Sequence, residues 1–120
     1  MSENRVLVIE DDELARLALV QQLRKLGKTL IDEAADGDSA SRAIEGSAQY
    51  ELIIADLMLP GHDAVELLRA TAGRQAQAGL ILVSALGDSL LRSVAVLCRE
   101  RGLRVLGALR KPVRHEALAQ

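Results

Sequence analysis

Aromatic residues are almost missing from this chain: it has no tryptophan, no phenylalanine and a single tyrosine, Tyr50. The core must therefore be filled by Leu, Val, Ile and Ala. Cysteine is nearly missing as well. Cys98 stands alone, which excludes a disulfide framework and a thiolate metal site. Neither sign of charge dominates: 15 Lys and Arg against 17 Asp and Glu leave a net charge of -2, which gives no electrostatic reason to expect nucleic-acid or membrane binding. No apolar run approaches the ~20 residues of a membrane span, and the opening MSENR lacks the pattern of a secretory signal. With 49% apolar and 27% charged residues over 120 positions, the composition is that of one soluble globular domain, expected over 1–120 and in the cytoplasm.

What is present is a rhythm. Four short apolar runs stand out: Val6–Ile9, Leu52–Ala55, Leu80–Val83 and Val105–Leu109. None alternates with polar residues, as expected of parallel strands covered on both faces. Thr29–Ala34 carries two acids and reads as an edge strand. Between the runs lie helical spacings. Leu19, Leu23 and Leu26 share one face before Gly27, and Val65, Leu68 and Ala72 share another. Leu91, Val94, Ala95 and Cys98 do the same between a cap at Asp88 and a stop at Gly102, and Asp36-Gly37-Asp38 opens a shorter helix through about Ile44. Alternating strands and helices argue for an α/β fold, an open parallel sheet with helices on both faces. The segment Val113–Gln120 allows about two turns, so a truncated last helix is expected.

In such a sheet, ligands gather at the carboxyl ends of the strands. Glu10, Asp11 and Asp12 follow the first run, Asp56 the third strand, Ser84 the fourth and Lys111 the fifth. Asp56 is the one charge within IIADLMLPG, and an aspartate among buried residues needs a partner or a metal. Each of these residues alone has an ordinary explanation as a turn or a surface charge. Together they do not. Clustered carboxylates repel unless a cation lies between them, and hard oxygen ligands with open positions suit Mg²⁺. A hydroxyl and an ammonium opposite would complete a pocket for a phosphoryl group, and a carboxylate beside a metal can itself be the nucleophile.

Glu10-Asp11, the Asp56-Leu57-Met58-Leu59-Pro60-Gly61 stretch, Ser84-Ala85 and Lys111-Pro112, in order and at strand–helix spacing, resemble a response-regulator receiver domain, the phosphoacceptor module of two-component signalling. The resemblance covers essentially the whole chain. It implies a three-layer, flavodoxin-like fold with a five-stranded parallel sheet of order 2-1-3-4-5. It also implies phosphorylation of Asp56 by a sensor histidine kinase or phosphotransfer protein. Asp11 would bind Mg²⁺ (or Mn²⁺) directly, with Asp56 as a further ligand, Glu10 acting through water and Met58 through its backbone carbonyl. Ser84 and Lys111 would meet phosphoryl oxygens, and the Lys111-Pro112 bond would be cis. Asp12, one residue past the acid pair, reads as a helix cap.

Two positions depart from the family pattern: Ala108 stands where an aromatic is usual, and Ala64 where glycine is common. The first leaves room for a second reading, a non-phosphorylated interaction module of the same fold. A flavodoxin-like cofactor domain is disfavoured, because a carboxylate trio replaces the glycine-rich phosphate loop after the first strand. The stretch Gly102–Pro112 resembles receivers that precede EAL-type cyclic-di-GMP phosphodiesterase domains, so an output domain beyond this chain is expected. A homodimer through the fourth helix, fifth strand and fifth helix is a further expectation. His62 and His115 read as surface residues, Cys98 as core and Tyr50 as packing near the third strand. Met58 and Leu86 are apolar at positions that flank water's approach to the phosphoryl group in the family. A long-lived phosphoform is therefore expected. Rapid phosphate loss from the isolated chain, followed by intact mass without any phosphatase, would contradict it.

Overall fold

A computed structural model describes residues 5–56, 70–75, 77–85 and 88–111. Strands β1 (Val6–Ile9), β2 (Ile31–Ala34), β3 (Leu52–Asp56), β4 (Gly79–Ser84) and β5 (Arg104–Arg110) form one parallel sheet of order β2-β1-β3-β4-β5. Helices α1 (Glu13–Lys25) and α2 (Gly37–Glu45), the helical residues 70–74 (α3) and α4 (Asp88–Glu100) connect them. The expected fold class and strand order are both observed.

Successive strand residues point to opposite faces, and the apolar runs are buried on both. Val6 and Val8 of β1 meet Leu19, Val20 and Leu23 of α1, together with Ile54 and Val83. Leu7 and Ile9 point the other way, into a cluster with Ala40 and Ile44 of α2 and Leu91, Ala95 and Cys98 of α4. The three layers follow directly from that alternation. Leu26 departs from its expected stripe: α1 ends at Lys25, so Leu26 is the C-cap and is exposed. Gly27 (φ 92°) and Gly102 (φ 87°) take the left-handed conformation as the chain leaves α1 and α4. At the start of α2, the Asp36 side chain accepts from Ser39 N at 2.7 Å, and Ser39 Oγ accepts from Asp36 N.

The edge strand β5 carries a bulge. Leu80 faces Val105 but Ile81 faces Gly107, so Leu106 has no opposite residue. Its side chain lies over Gly79, where any Cβ would collide with it. Past the bulge, Ser84 pairs with Arg110, and Lys111 N donates to Ser84 O at 3.0 Å. A one-residue slip in a strand reverses every side chain beyond it. The bulge therefore decides where Lys111 points.

Polar groups at the opposite end of the sheet are tied together. Gln75, 1% exposed, donates through Nε2 to Ile44 O (3.1 Å) and Ala48 O (2.9 Å), and its Oε1 accepts from Tyr50 N (3.0 Å). Tyr50 OH donates to Asp32 Oδ2 at 2.7 Å, and Arg5 Nη1 reaches the same carboxylate. Burial and the Asp32 carboxylate push the Tyr50 hydroxyl far above its ordinary pKa. Tyr50 therefore packs near the third strand as expected, with a polar tie in addition. Replacing Gln75 by Leu leaves two carbonyls and an amide without that partner. The expected loss is about 3 kcal/mol of unfolding free energy in urea; a loss under about 1 kcal/mol would mean water replaces the side chain at little cost.

Candidate functional site

The carboxyl ends of β1, β3, β4 and β5 bring the singled-out residues to one rim. Glu10 follows β1, its amide still donating to Ala34 O at 3.0 Å, and its side chain is completely buried. The chain then turns through Asp11 into Asp12, the N-cap of α1, whose Oδ2 accepts from Ala15 N at 3.0 Å. The cap role expected of Asp12 is thus observed. Asp12 N donates to Glu10 Oε2 at 3.1 Å, folding the glutamate back over the turn. Asp56 is the last residue of β3, opposite Val83, and is 4% exposed. Ser84 ends β4 fully buried.

Lys111 answers the question raised by the buried aspartate. Its Nζ lies 2.8 Å from Asp56 Oδ2 and 2.5 Å from Glu10 Oε1, so one ammonium serves two buried carboxylates from different strands. Burial would lower the lysine's pKa, but its contacts with the Asp56 and then the Glu10 carboxylates outweigh it and hold the ammonium above its ordinary value. Burial pushes the Glu10 carboxyl up; Lys111 and the Asp12 amide oppose this, and the Asp56 carboxylate adds to it.

Lys111 pairs with two of the acids, and Asp11 adds a third carboxylate to the rim. Glu10, Asp11 and Asp56 each offer a carboxylate oxygen, all within 4.8 Å of one another. Glu10 Oε1 is buried and makes no hydrogen bond of good geometry, its contact with Lys111 being ionic. An all-oxygen set with such an atom and an exposed third carboxylate fits a hard divalent cation better than a soft one.

The structure thus gathers Glu10, Asp11, Asp56, Ser84 and Lys111. Met58, Pro60, Gly61, His62, Ala64, Val65, Leu68, Leu86, Pro112, His115 and the segment 113–120 lie outside the described residues, as does the Asp88 side chain. Ala108, opposite Leu82, is half-buried against the α4-side cluster. Arg16 had no sequence signal: it is an ordinary first-turn arginine until the fold brings it to the rim. Its Nη1 donates to Glu10 O at 2.9 Å and its Nε to Glu33 Oε1 at 3.1 Å.

Comparison with known proteins agrees with this geometry. The response regulator receiver domain family matches residues 6–120. The chain is 34% identical over 113 residues to the cyclic di-GMP phosphodiesterase RocR of Pseudomonas aeruginosa, covering 93% of this chain and 29% of that protein. It is 30% identical over 113 residues to a cyclic di-GMP phosphodiesterase of Thermotoga maritima, covering 94% of this chain and 28% of that one. The chain therefore spans less than a third of either relative. Among solved structures, a response regulator from Colwellia psychrerythraea superposes with a TM-score of 0.79 at 29% identity, covering 98% of this chain and 92% of that one. Motif order, sheet topology and family match all agree: this chain belongs to the response-regulator receiver-domain family.

Proposed function

We propose that this chain is an active receiver that takes a phosphoryl group onto Asp56 from a sensor histidine kinase or phosphotransfer protein. The observation that carries the reading is the Lys111 ammonium held between buried Asp56 and Glu10, with Asp11 beside them. A carboxylate oxygen of Asp56 forms the new P–O bond as the P–N bond of the partner's phosphohistidine breaks. Lys111 moves from balancing carboxylates to balancing a phosphoryl oxygen, and the Ser84 hydroxyl donates to another. Asp11, Asp56 and Glu10, the last through water, with the Met58 carbonyl, would hold Mg²⁺, or Mn²⁺ in its place. Bound there, the cation would neutralise charge on the transferring group. Such transfer needs little beyond positioning and charge balance.

Phosphorylation replaces the single charge of the Asp56 carboxylate by the ~1.5 to 2 negative charges of a phosphoryl group, a net gain of up to about one at a buried strand end. That charge competes with Glu10 for Lys111, which biases the domain between two conformers. The cyclic di-GMP phosphodiesterase relatives, each more than three times as long as this chain, support an output domain in the whole protein; the resemblance of Gly102–Pro112 makes the EAL type our choice for it. For self-association we propose the α4–β5 face, where Val96, Leu97 and Leu106 are exposed. Ala108 favours one second reading, a pseudo-receiver that signals by binding alone, since no aromatic stands there to turn inward.

Incubation with Mg²⁺ and acetyl phosphate separates the two. Intact mass is expected to gain one phosphoryl group, lost in Asp56→Asn and on chelation of Mg²⁺. No addition with any donor supports the pseudo-receiver instead.

A further inference from the structure

We infer that Arg16 is a positioning residue for the acidic rim, placing Asp11 by holding the Glu10–Asp11 peptide. The inference rests on reading Glu10, Asp11 and Asp56 as a divalent-cation site, and it adds a residue outside that site.

The turn between β1 and α1 is fixed at both ends, by the Glu10 amide on Ala34 O at 3.0 Å and by the Asp12 cap on Ala15 N at 3.0 Å. Between them lies the peptide joining Glu10 to Asp11. Its carbonyl oxygen accepts from Arg16 Nη1 at 2.9 Å. A peptide unit is planar, so fixing that oxygen also fixes the Asp11 N–H and the direction in which its Cα leaves. The other two carboxylates have a different restraint, being buried against Lys111. Asp11 is exposed, and its backbone is what sets its place.

The arginine is itself oriented. Its Nε contacts Glu33 Oε1 at 3.1 Å, and its side chain is only 18% exposed against 47% for Glu33. A guanidinium is a rigid fork, so anchoring one edge on β2 aims the other at the Glu10 carbonyl. The backbone agrees: Arg16 N donates to Asp12 O at 2.9 Å, one helical turn beyond the loop. A lysine carries its donors on one nitrogen at the end of a flexible stem and does not reproduce the rigid fork that meets the two partners from separate nitrogens.

Charge and geometry make opposite demands here. As a mere positive charge near the site, Arg16 repels a cation, and removing it would tighten binding. As a positioning residue, its removal loosens Asp11 and weakens binding. Metal binding by the 120-residue chain decides between them, with Mn²⁺ followed through loss of the free-ion paramagnetic resonance signal. Arg16→Met is expected to weaken Mn²⁺ about ten-fold, as for other residues that orient metal ligands. Arg16→Lys keeps the charge and is expected to weaken it nearly as much. In the metal-free protein, exchange of the Asp12 amide, which donates to Glu10 Oε2, is expected to accelerate in both variants.

Unchanged or tighter Mn²⁺ binding in folded Arg16→Met and Arg16→Lys overturns the inference. Should neither fold, Glu33→Gln removes the orienting charge away from the cation site; it is expected to weaken Mn²⁺ binding less than loss of the arginine, and an unchanged value overturns the inference. A wild-type chain without Mn²⁺ affinity, or an Asp56→Asn variant that binds equally well, overturns the cation-site reading and this inference with it. Failure confined to the Arg16 and Glu33 variants leaves the cation-site reading standing.

Discussion

The ammonium of Lys111 lies between Asp56 and Glu10, two carboxylates that the sheet buries almost completely. Without it, two acids from neighbouring strand ends would face each other in a medium that screens poorly, a cost proteins avoid. The pairing is balanced rather than complete, since one cation serves two acids with a third, Asp11, alongside. That residual charge suits the rim to the divalent ion proposed for it. In the proposed transfer it also frees Lys111 to move, because an incoming phosphoryl group would compete for it with groups it already satisfies only in part.

The rest of the fold serves to bring that lysine there. Glu10 leaves β1, Asp56 ends β3 and Lys111 follows β5, so three strand ends must agree in height along the sheet. The β1–β3 and β3–β4 ladders are regular, whereas the β4–β5 ladder shifts by one residue at Leu106. That shift resets the strand before Ser84 pairs with Arg110. Gly79 leaves the space that the displaced Leu106 side chain occupies. A feature far from the chemistry thereby fixes the direction of its only described lysine.

Much of this was legible in the sequence because burial writes a simple signal. Unbroken apolar runs named the parallel strands, and the polar residue after each named the rim. The strand order entered by resemblance, since periodicity carries no information on neighbours. The bulge was invisible, because Val105-Leu106-Gly107-Ala108-Leu109 reads as one uninterrupted run until its register with β4 is known. Leu26 was placed on the wrong side because a heptad-like spacing continues past the residue where the helix stops. Arg16 and Gln75 gave no signal at all. Both act on backbone groups distant in sequence or set by a turn, and such partners exist only once the chain has folded.

On the proposed reading Asp56, balanced by Lys111 and a divalent cation, accepts a phosphoryl group. Beryllofluoride is the most direct probe, because it mimics a phosphoryl group on a carboxylate without needing a partner protein. Fluorine NMR of the chain with beryllofluoride and Mg²⁺ is expected to show bound resonances that disappear when Mg²⁺ is removed or Asp56 becomes Asn. No bound resonance at saturating Mg²⁺, or one unchanged in Asp56→Asn, would contradict it.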